Sequence, residues 1–236
     1  TGCVGVTDGP NATVWYAWQA PGDGAVLFST CSNSSFDSML AIYDDHPAFG
    51  GVRVGESNFG GCGSLQFDAV GGRTYWVQVD GRDDATGHFA LTYEWSPGND
   101  DFADASELTG TSGSRSGSMR GATAEANEPF PCDGGTGCTF ITDLPDTTVW
   151  YRWTAPADGT ATFDTCLTFN QYDTVMAVYT GSTLTALDRK GQNDNSCGSR
   201  SRVTIPVVGG ETYRIQVDGV VNTPVDFGIR WAFTAA

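Results

Sequence analysis

The sequence predicts an all-β chain made of two tandem antiparallel β-sandwich domains. Three observations carry this: a long internal repeat, period-two alternation in each repeated block, and glycine-rich turn signals between blocks.

The repeat begins where Thr13-Val14-Trp15-Tyr16-Ala17-Trp18-Gln19-Ala20-Pro21 returns as Thr148-Val149-Trp150-Tyr151-Arg152-Trp153-Thr154-Ala155-Pro156, 135 positions later. Thr30-Cys31 returns as Thr165-Cys166. Met39-Leu40-Ala41-Ile42-Tyr43, preceded by Phe36-Asp37, returns as Val175-Met176-Ala177-Val178-Tyr179, preceded by Tyr172-Asp173. Gly71-Gly72-Arg73-Thr74-Tyr75-Trp76-Val77-Gln78-Val79-Asp80-Gly81 returns as Gly209-Gly210-Glu211-Thr212-Tyr213-Arg214-Ile215-Gln216-Val217-Asp218-Gly219, now 138 positions later. The drift places small length changes in the loops between strands.

Each block alternates as a strand does. Tyr75, Val77 and Val79 fall on one face, and Trp76, Gln78 and Asp80 on the other. The closing strands follow suit, with Phe89, Leu91, Tyr93 and Trp95 in one copy and Phe227, Ile229, Trp231 and Phe233 in the other. No long segment shows a 3.6-residue period; Ala103 to Leu108 is long enough for a short helical turn. The glycine content, 31 residues, suits many tight turns.

The boundary falls near Pro97-Gly98-Asn99-Asp100-Asp101, giving domains 1–97 and 98–236. No counterpart of 98–137 precedes the first copy. The first domain is therefore expected to be truncated at its N-terminus. A removed segment or a neighbouring molecule would then supply its opening strands.

Twelve Lys and Arg against 28 Asp and Glu leave a net charge of −16. Such a surface repels phosphate backbones, so nucleic acid is excluded as a partner. No stretch approaches the roughly 18–20 apolar residues of a membrane span. Seven cysteines without zinc-type spacing point to disulfides and an oxidising compartment. Cys31 and Cys62 occupy the same repeat positions as Cys166 and Cys197, so one staple per domain is the economical pairing. Cys132 and Cys138 remain as a local pair in the second domain. Cys3 matches Cys138 in position, and its partner is expected upstream of Thr1; an intermolecular disulfide and a redox-active thiol are the alternatives.

In order and spacing, these blocks resemble the bacterial pre-peptidase C-terminal domain, a family that includes the collagen-binding domains of secreted collagenases. Asn99-Asp100-Asp101-Phe102-Ala103-Asp104-Ala105 and Ala122-Thr123, with Glu125 and Glu128-Pro129, look like that family's opening segment. The resemblance covers nearly the whole chain, twice. It implies two tandem jelly-roll-like antiparallel β-sandwich domains, bacterial and secreted or on the cell surface. It implies binding rather than catalysis. It also implies a Ca²⁺ site in the second domain, with ligands from Asn99, Asp100, Asp101, Glu125 and Glu128, since calcium takes six to eight hard oxygens.

Other residues are read more plainly. Asp37, Asp173, Asp80 and Asp218 recur in both copies, which suits turn and inter-strand hydrogen bonds rather than paired acids at a hydrolase cleft. Asp44-Asp45 and Asn193-Asp194-Asn195 read as turn formers. His46 and His88 have no counterparts, and no nucleophile motif or metal-binding HExxH occurs. Recurrent Trp15, Trp18, Trp150 and Trp153 suit core packing. Trp76, which faces Arg214 across the repeat, is expected on an exposed contact surface. The expected function is a non-catalytic extracellular binding or adhesion module, a subunit or repeat of a surface fibre or larger assembly. The alternative is an accessory domain pair targeting a secreted hydrolase to collagen or polysaccharide.

Overall fold

The computed structural model describes residues 12–57, 61–134, 138, 145–167, 173–220 and 226–236. Cys3, and the first eleven residues generally, lie outside that set. Two compact units form, Thr1–Trp95 and Ser96–Ala236. Each is a β-sandwich, and no helix in the described residues is long and apolar enough to cross a membrane.

The first unit runs β1 (Val14–Gln19), β2 (Gly24–Ser29), β3 (Ser38–Asp44), β4 (Val52–Ser57), β5 (Ser64–Ala69), β6 (Thr74–Gly81) and β7 (Thr92–Pro97). The second opens with a short 3-10 turn at Phe102–Asp104. It continues through β8 (Ser106–Glu107), β9 (Ser112–Ser118), β10 (Val149–Thr154), β11 (Gly159–Asp164), β12 (Thr174–Thr180), β13 (Asp188–Asn193), β14 (Arg202–Val207), β15 (Thr212–Gly219) and β16 (Asp226–Ala235).

Sheet order gives the topology. In the second unit the sheets are β13-β12-β15-β10-β8 and β14-β11-β16-β9. Counting strands from β9 as the first, the sandwich reads 5-4-7-2 over 6-3-8-1, the double Greek key of a jelly roll, with β8 added at one edge. The first unit reads β1-β6-β3-β4 over β5-β2-β7. This is the same roll without a counterpart of β8 or β9 among the described residues.

The repeat maps onto this frame pair by pair. Trp15 opposes Gln78 as Trp150 opposes Gln216, and β3 and β12 each carry a register shift, at Ile42/Tyr43 and Val178/Tyr179. The Asp23 carboxylate accepts from the Gly71 N–H as Asp158 accepts from Gly209, both at 2.8 Å. The Tyr75 hydroxyl accepts from the Val70 N–H as Tyr213 accepts from Val208, both at 2.9 Å. Gly72 and Gly210 sit at φ 77° and 81° in these turns, where a Cβ would be strained.

Alternation fills each core. Val26, Phe28, Leu40, Ile42, Tyr75, Val77 and Val79 pack in the first unit. Val149, Tyr151, Trp153, Phe163, Met176, Ile205, Ile215 and Val217 pack in the second. Disulfides join Cys31 to Cys62, Cys132 to Cys138 and Cys166 to Cys197.

Candidate binding face

The same sheet face is finished differently in the two units. In the second, residues 99–134 form a strap across the outer face of β10, β15 and β12. Asn99 brackets Trp150 through the backbone: its carbonyl accepts from the Trp150 N–H, and its side-chain amide donates to the Trp150 carbonyl, both at 2.8 Å. The Phe102 ring meets the Trp150 indole edge-on at 5.1 Å, and the Arg214 guanidinium lies 4.5 Å over the Phe102 ring. The Trp150 indole N–H donates to Glu128 at 3.0 Å, and the Gln216 amide donates to the Pro129 carbonyl at 3.1 Å. The Tyr179 hydroxyl donates to Gln216 at 2.8 Å. Trp150, Ala177 and Tyr179 thus form a small outer cluster with Phe102 and Ala105.

The strap also closes the sandwich edge. β8 pairs in parallel with β10, and β9 runs antiparallel along β16. Two glycines let β9 approach. A Cβ at Gly113 would come within 2.4 Å of the Trp231 ring, and one at Gly117 within 2.4 Å of the Tyr151 hydroxyl. Val149, Trp150 and Tyr151 are at most 1% exposed as a result.

In the first unit the receiving half of this arrangement is present. Trp15, Tyr43 and Gln78 occupy the positions of Trp150, Tyr179 and Gln216, and the Tyr43 hydroxyl again donates to its glutamine, at 3.1 Å. Among the described residues no strap covers them. Val14 and Tyr16, which point toward the sandwich interior, are each 41% exposed. Trp15 and Trp18 are half-buried rather than buried, so their recurrence is core packing only in part.

Trp76 stands where the second unit has Arg214, and it joins an aromatic shelf. Its ring meets His46 edge-on at 4.5 Å; His46 lies 5.6 Å from Trp15 and 5.6 Å from Phe49. Trp15 in turn lies 5.5 Å from Tyr43. The loop after β3 builds this shelf. Pro47 starts a 3-10 turn capped by His46, whose Nδ1 accepts the Ala48 N–H at 3.1 Å, and Gly50 ends it at φ 95°. The turn holds Phe49 out, 84% exposed. Sequence reasoning placed Trp76 on a contact surface but missed His46 and Phe49. The readable signal was His46-Pro47-Ala48-Phe49-Gly50, a turn sequence carrying an aromatic it has no need of.

Three of the expected calcium ligands, Asp100, Glu125 and Glu128, accept hydrogen bonds from within the chain. Asp100 accepts from the Thr123 N–H at 2.7 Å, Glu125 from the Phe102 N–H at 2.5 Å, and Glu128 from the Trp150 indole. Burial raises the Asp100 carboxyl above the ordinary range, with Asp101 and Glu125 adding to the effect. Burial raises Glu128 too, with Glu125 contributing. Among the described residues no group of three His, Cys, Asp or Glu side chains converges as a metal site.

The remaining acids are structural. Asp37 accepts from the Gly61 N–H at 2.7 Å, Asp80 from Gly81 at 2.9 Å, Asp44 from Val52 at 2.8 Å, and Asn193 from Arg202 at 2.9 Å. Asp173 sits by Asp194, and its carboxyl is raised by burial first and by that neighbour second. Asp218 differs from its counterpart Asp80: it is buried, and its carboxyl is pushed up to about 7 by burial and then by Asp146. A polar cleft of about 470 Å³ lies between β13 and β14, lined by Asp133, Arg189, Lys190, Gln192, Arg202 and Thr204. Its cations are matched by acids: Arg189 by Asp133 at 2.5 Å and Lys190 by Asp188 at 2.6 Å.

No family model matches the chain, and no curated protein matches it. Solved structures do. The CUB1-EGF-CUB2 domain of human MASP-1/3 matches at 7% identity and a TM-score of 0.27, over 96% of this chain and 94% of that one. The catalytic domain of Clostridium perfringens ZmpB with its CBM51-1 and CBM51-2 domains matches at 9% and 0.28, over 94% and 34%. The tandem CBM51 modules of Sp3GH98, a family 98 glycoside hydrolase from Streptococcus pneumoniae, match at 11% and 0.26, over 95% and 81%. Scores this low carry no argument about function, which rests on the chain's own surfaces.

Proposed function

We propose that the chain is a non-catalytic extracellular binding pair, and that its contact surface is the aromatic outer face of the first unit. One observation carries the reading. The sheet face that residues from 99–134 bury in the second unit carries in the first an aromatic shelf of exposed Phe49 and partly buried Trp15, His46 and Trp76. An aromatic shelf of this kind offers large contact area at low cost in side-chain entropy. Three disulfides suit an oxidising, extracellular setting. The resemblance to pre-peptidase C-terminal domains favours the same role.

The surface fits an extended ligand, either a neighbouring subunit or a polymer to which a secreted enzyme is directed. Retention on insoluble collagen and polysaccharides is the direct test of the second. Trp76→Ala is expected to weaken retention by about tenfold or more, the loss typical of an aromatic anchor, while shifting the unfolding midpoint less, because Trp76 lies outside the core cluster and is only partly buried. Retention unchanged by Trp76→Ala and by Phe49→Ala would remove the shelf from the function.

Calcium at Asn99, Asp100, Asp101, Glu125 and Glu128 is part of the proposal. The donor chemistry fits a hard cation; burial is the main cause that raises Asp100 and Glu128, and the smaller repulsion from Asp101 and Glu125 is what a cation would relieve. Those residues would pin the strap to β10. Calcium at a hundredfold excess over its Kd is expected to stabilise the second unit by about 2.7 kcal/mol, read as a rise in its unfolding midpoint over EDTA. The same midpoint in EDTA and in millimolar calcium would refute the site.

A further inference from the structure

We propose that the cleft between β13 and β14 is a second binding site, and that it takes an acidic sugar, a glycan residue bearing a carboxylate or a sulfate. Its lining lies wholly in the second unit and uses nothing of the aromatic shelf. β13 and β14 are edge strands of their two sheets, and Gly191 lets them meet. A Cβ there would come within 2.7 Å of the Val203 side chain. The cleft beside this meeting, about 470 Å³, falls within the range of about 300–1,000 Å³ common to small-molecule sites. Three cations line it, Arg189, Lys190 and Arg202, in a chain that has only 12.

The three cations are held unequally. Arg189 is fixed: its guanidinium donates to Gln192 at 2.7 Å and to the Phe130 carbonyl, and it pairs with Asp133. Lys190 bonds the exposed Asp188 of its own strand, a surface pair that loses little when a ligand anion takes its place. Arg202 reaches Asp164 only at 3.8 Å, because Arg230 already holds that carboxylate at 2.9 and 3.1 Å. Its planar fork is left for an anion that can accept two bonds. The repeat shows that folding does not need Lys190 or Arg202. Arg202 opposes Asp164 as Ser64 opposes Ser29, and Lys190, at the register shift of β13, answers to Val54 in β4. The same sandwich edge thus closes in the first unit with small or apolar residues where the cleft carries charge. Asp133, Gln192 and Thr204 complete the lining with acceptors and a hydroxyl. These suit the hydroxyls of a sugar ring, which an acidic peptide side chain lacks. The net charge of −16 opposes a long polyanion. At 0.15 M salt, however, fields fade beyond about 8 Å, so Lys190 and Arg202 govern a single anionic group beside them.

The test titrates the intact chain with methyl glucuronide, glucose 6-sulfate, methyl glucoside and acetate, following backbone amide shifts. One of the two acidic sugars is expected to move the Lys190, Gln192, Arg202 and Thr204 amides saturably, and which one does so names the anion. Methyl glucoside lacks the charge and acetate lacks the ring, so each is expected to bind at least tenfold more weakly. Arg202→Ser and Lys190→Val install the first unit's residues. Each is expected to weaken the acidic sugar about tenfold with the unfolding midpoint unchanged. Should either variant melt early, Arg202→Lys is read instead; it keeps the charge without the fork and is expected to lose part of the affinity. Trp76→Ala is expected to leave the titration unchanged, so this site and the aromatic shelf stand or fall separately. No saturable shift at those amides with either acidic sugar overturns the proposal. So does equal binding of methyl glucoside or of acetate, or binding indifferent to both Arg202→Ser and Lys190→Val.

Discussion

Trp150→Ala is expected to destabilise the second unit by about 3–5 kcal/mol, whereas Trp15→Ala costs the first unit about 1 kcal/mol. The two tryptophans hold one position in the repeat and make the same strand pairing, so local propensity cannot separate them. Their surroundings do. Trp150 is fully buried beneath Phe102, beside Tyr179, and donates its indole N–H to Glu128. Truncation removes that area, leaves a cavity that the disulfide-linked strap cannot easily fill, and deprives a half-buried carboxylate of its donor. Trp15 touches Tyr43 and His46 and is only partly buried, so water replaces more of what is lost. Urea unfolding resolved unit by unit, with exchange of the Phe102 and Leu108 amides as a local readout, measures both costs. Equal costs would mean that the first unit's face is covered as well as the second's.

Asp218→Asn is expected to flatten the pH dependence of stability between about pH 4 and pH 7. The native carboxyl titrates near 7, against about 3.9 in an unfolded chain. The folded state thus holds this proton more tightly. The stability it lends is full below the unfolded value and is lost as pH rises through the folded one. The loss is on the order of 4 kcal/mol at most. Burial is the main cause, and the Asp146 carboxylate adds repulsion. The Asp218 Oδ1 accepts from the Thr147 N–H at 3.2 Å, the Thr147 hydroxyl at 3.0 Å and the Gly219 N–H at 2.8 Å. An asparagine keeps that oxygen and turns an amide donor toward Asp146. At pH 8 the variant is expected to melt higher than the wild type, and at pH 4 to match it. A wild-type midpoint that stays level from pH 4 to pH 8 would contradict the argument. Asp100, Glu128 and Asp173 are raised in the same direction, so the variant retains a shallower slope.

The sequence by itself determined the repeated parts. Alternation in Thr74–Gly81 and Thr212–Gly219 assigns faces without any tertiary knowledge, because successive strand side chains must point to opposite sides. Equal spacing within the repeat paired Cys31 with Cys62 and Cys166 with Cys197, since one backbone frame brings the same positions together twice.

Only the tertiary structure decided what happens between unlike parts. Asp80 and Asp218 are the same letter in the same motif, yet Asp218 is buried beside Asp146 and Thr147 while Asp80 is only partly buried. His46 and Phe49 join Trp76 because the turn after β3 folds over β6, a meeting of residues some thirty positions apart that no local pattern encodes. Burial is a property of what lies on the other side of a residue. A repeat fixes each strand's own face, but the chain that covers it lies elsewhere in sequence, so Trp150 and Trp15 share a pattern and differ in environment.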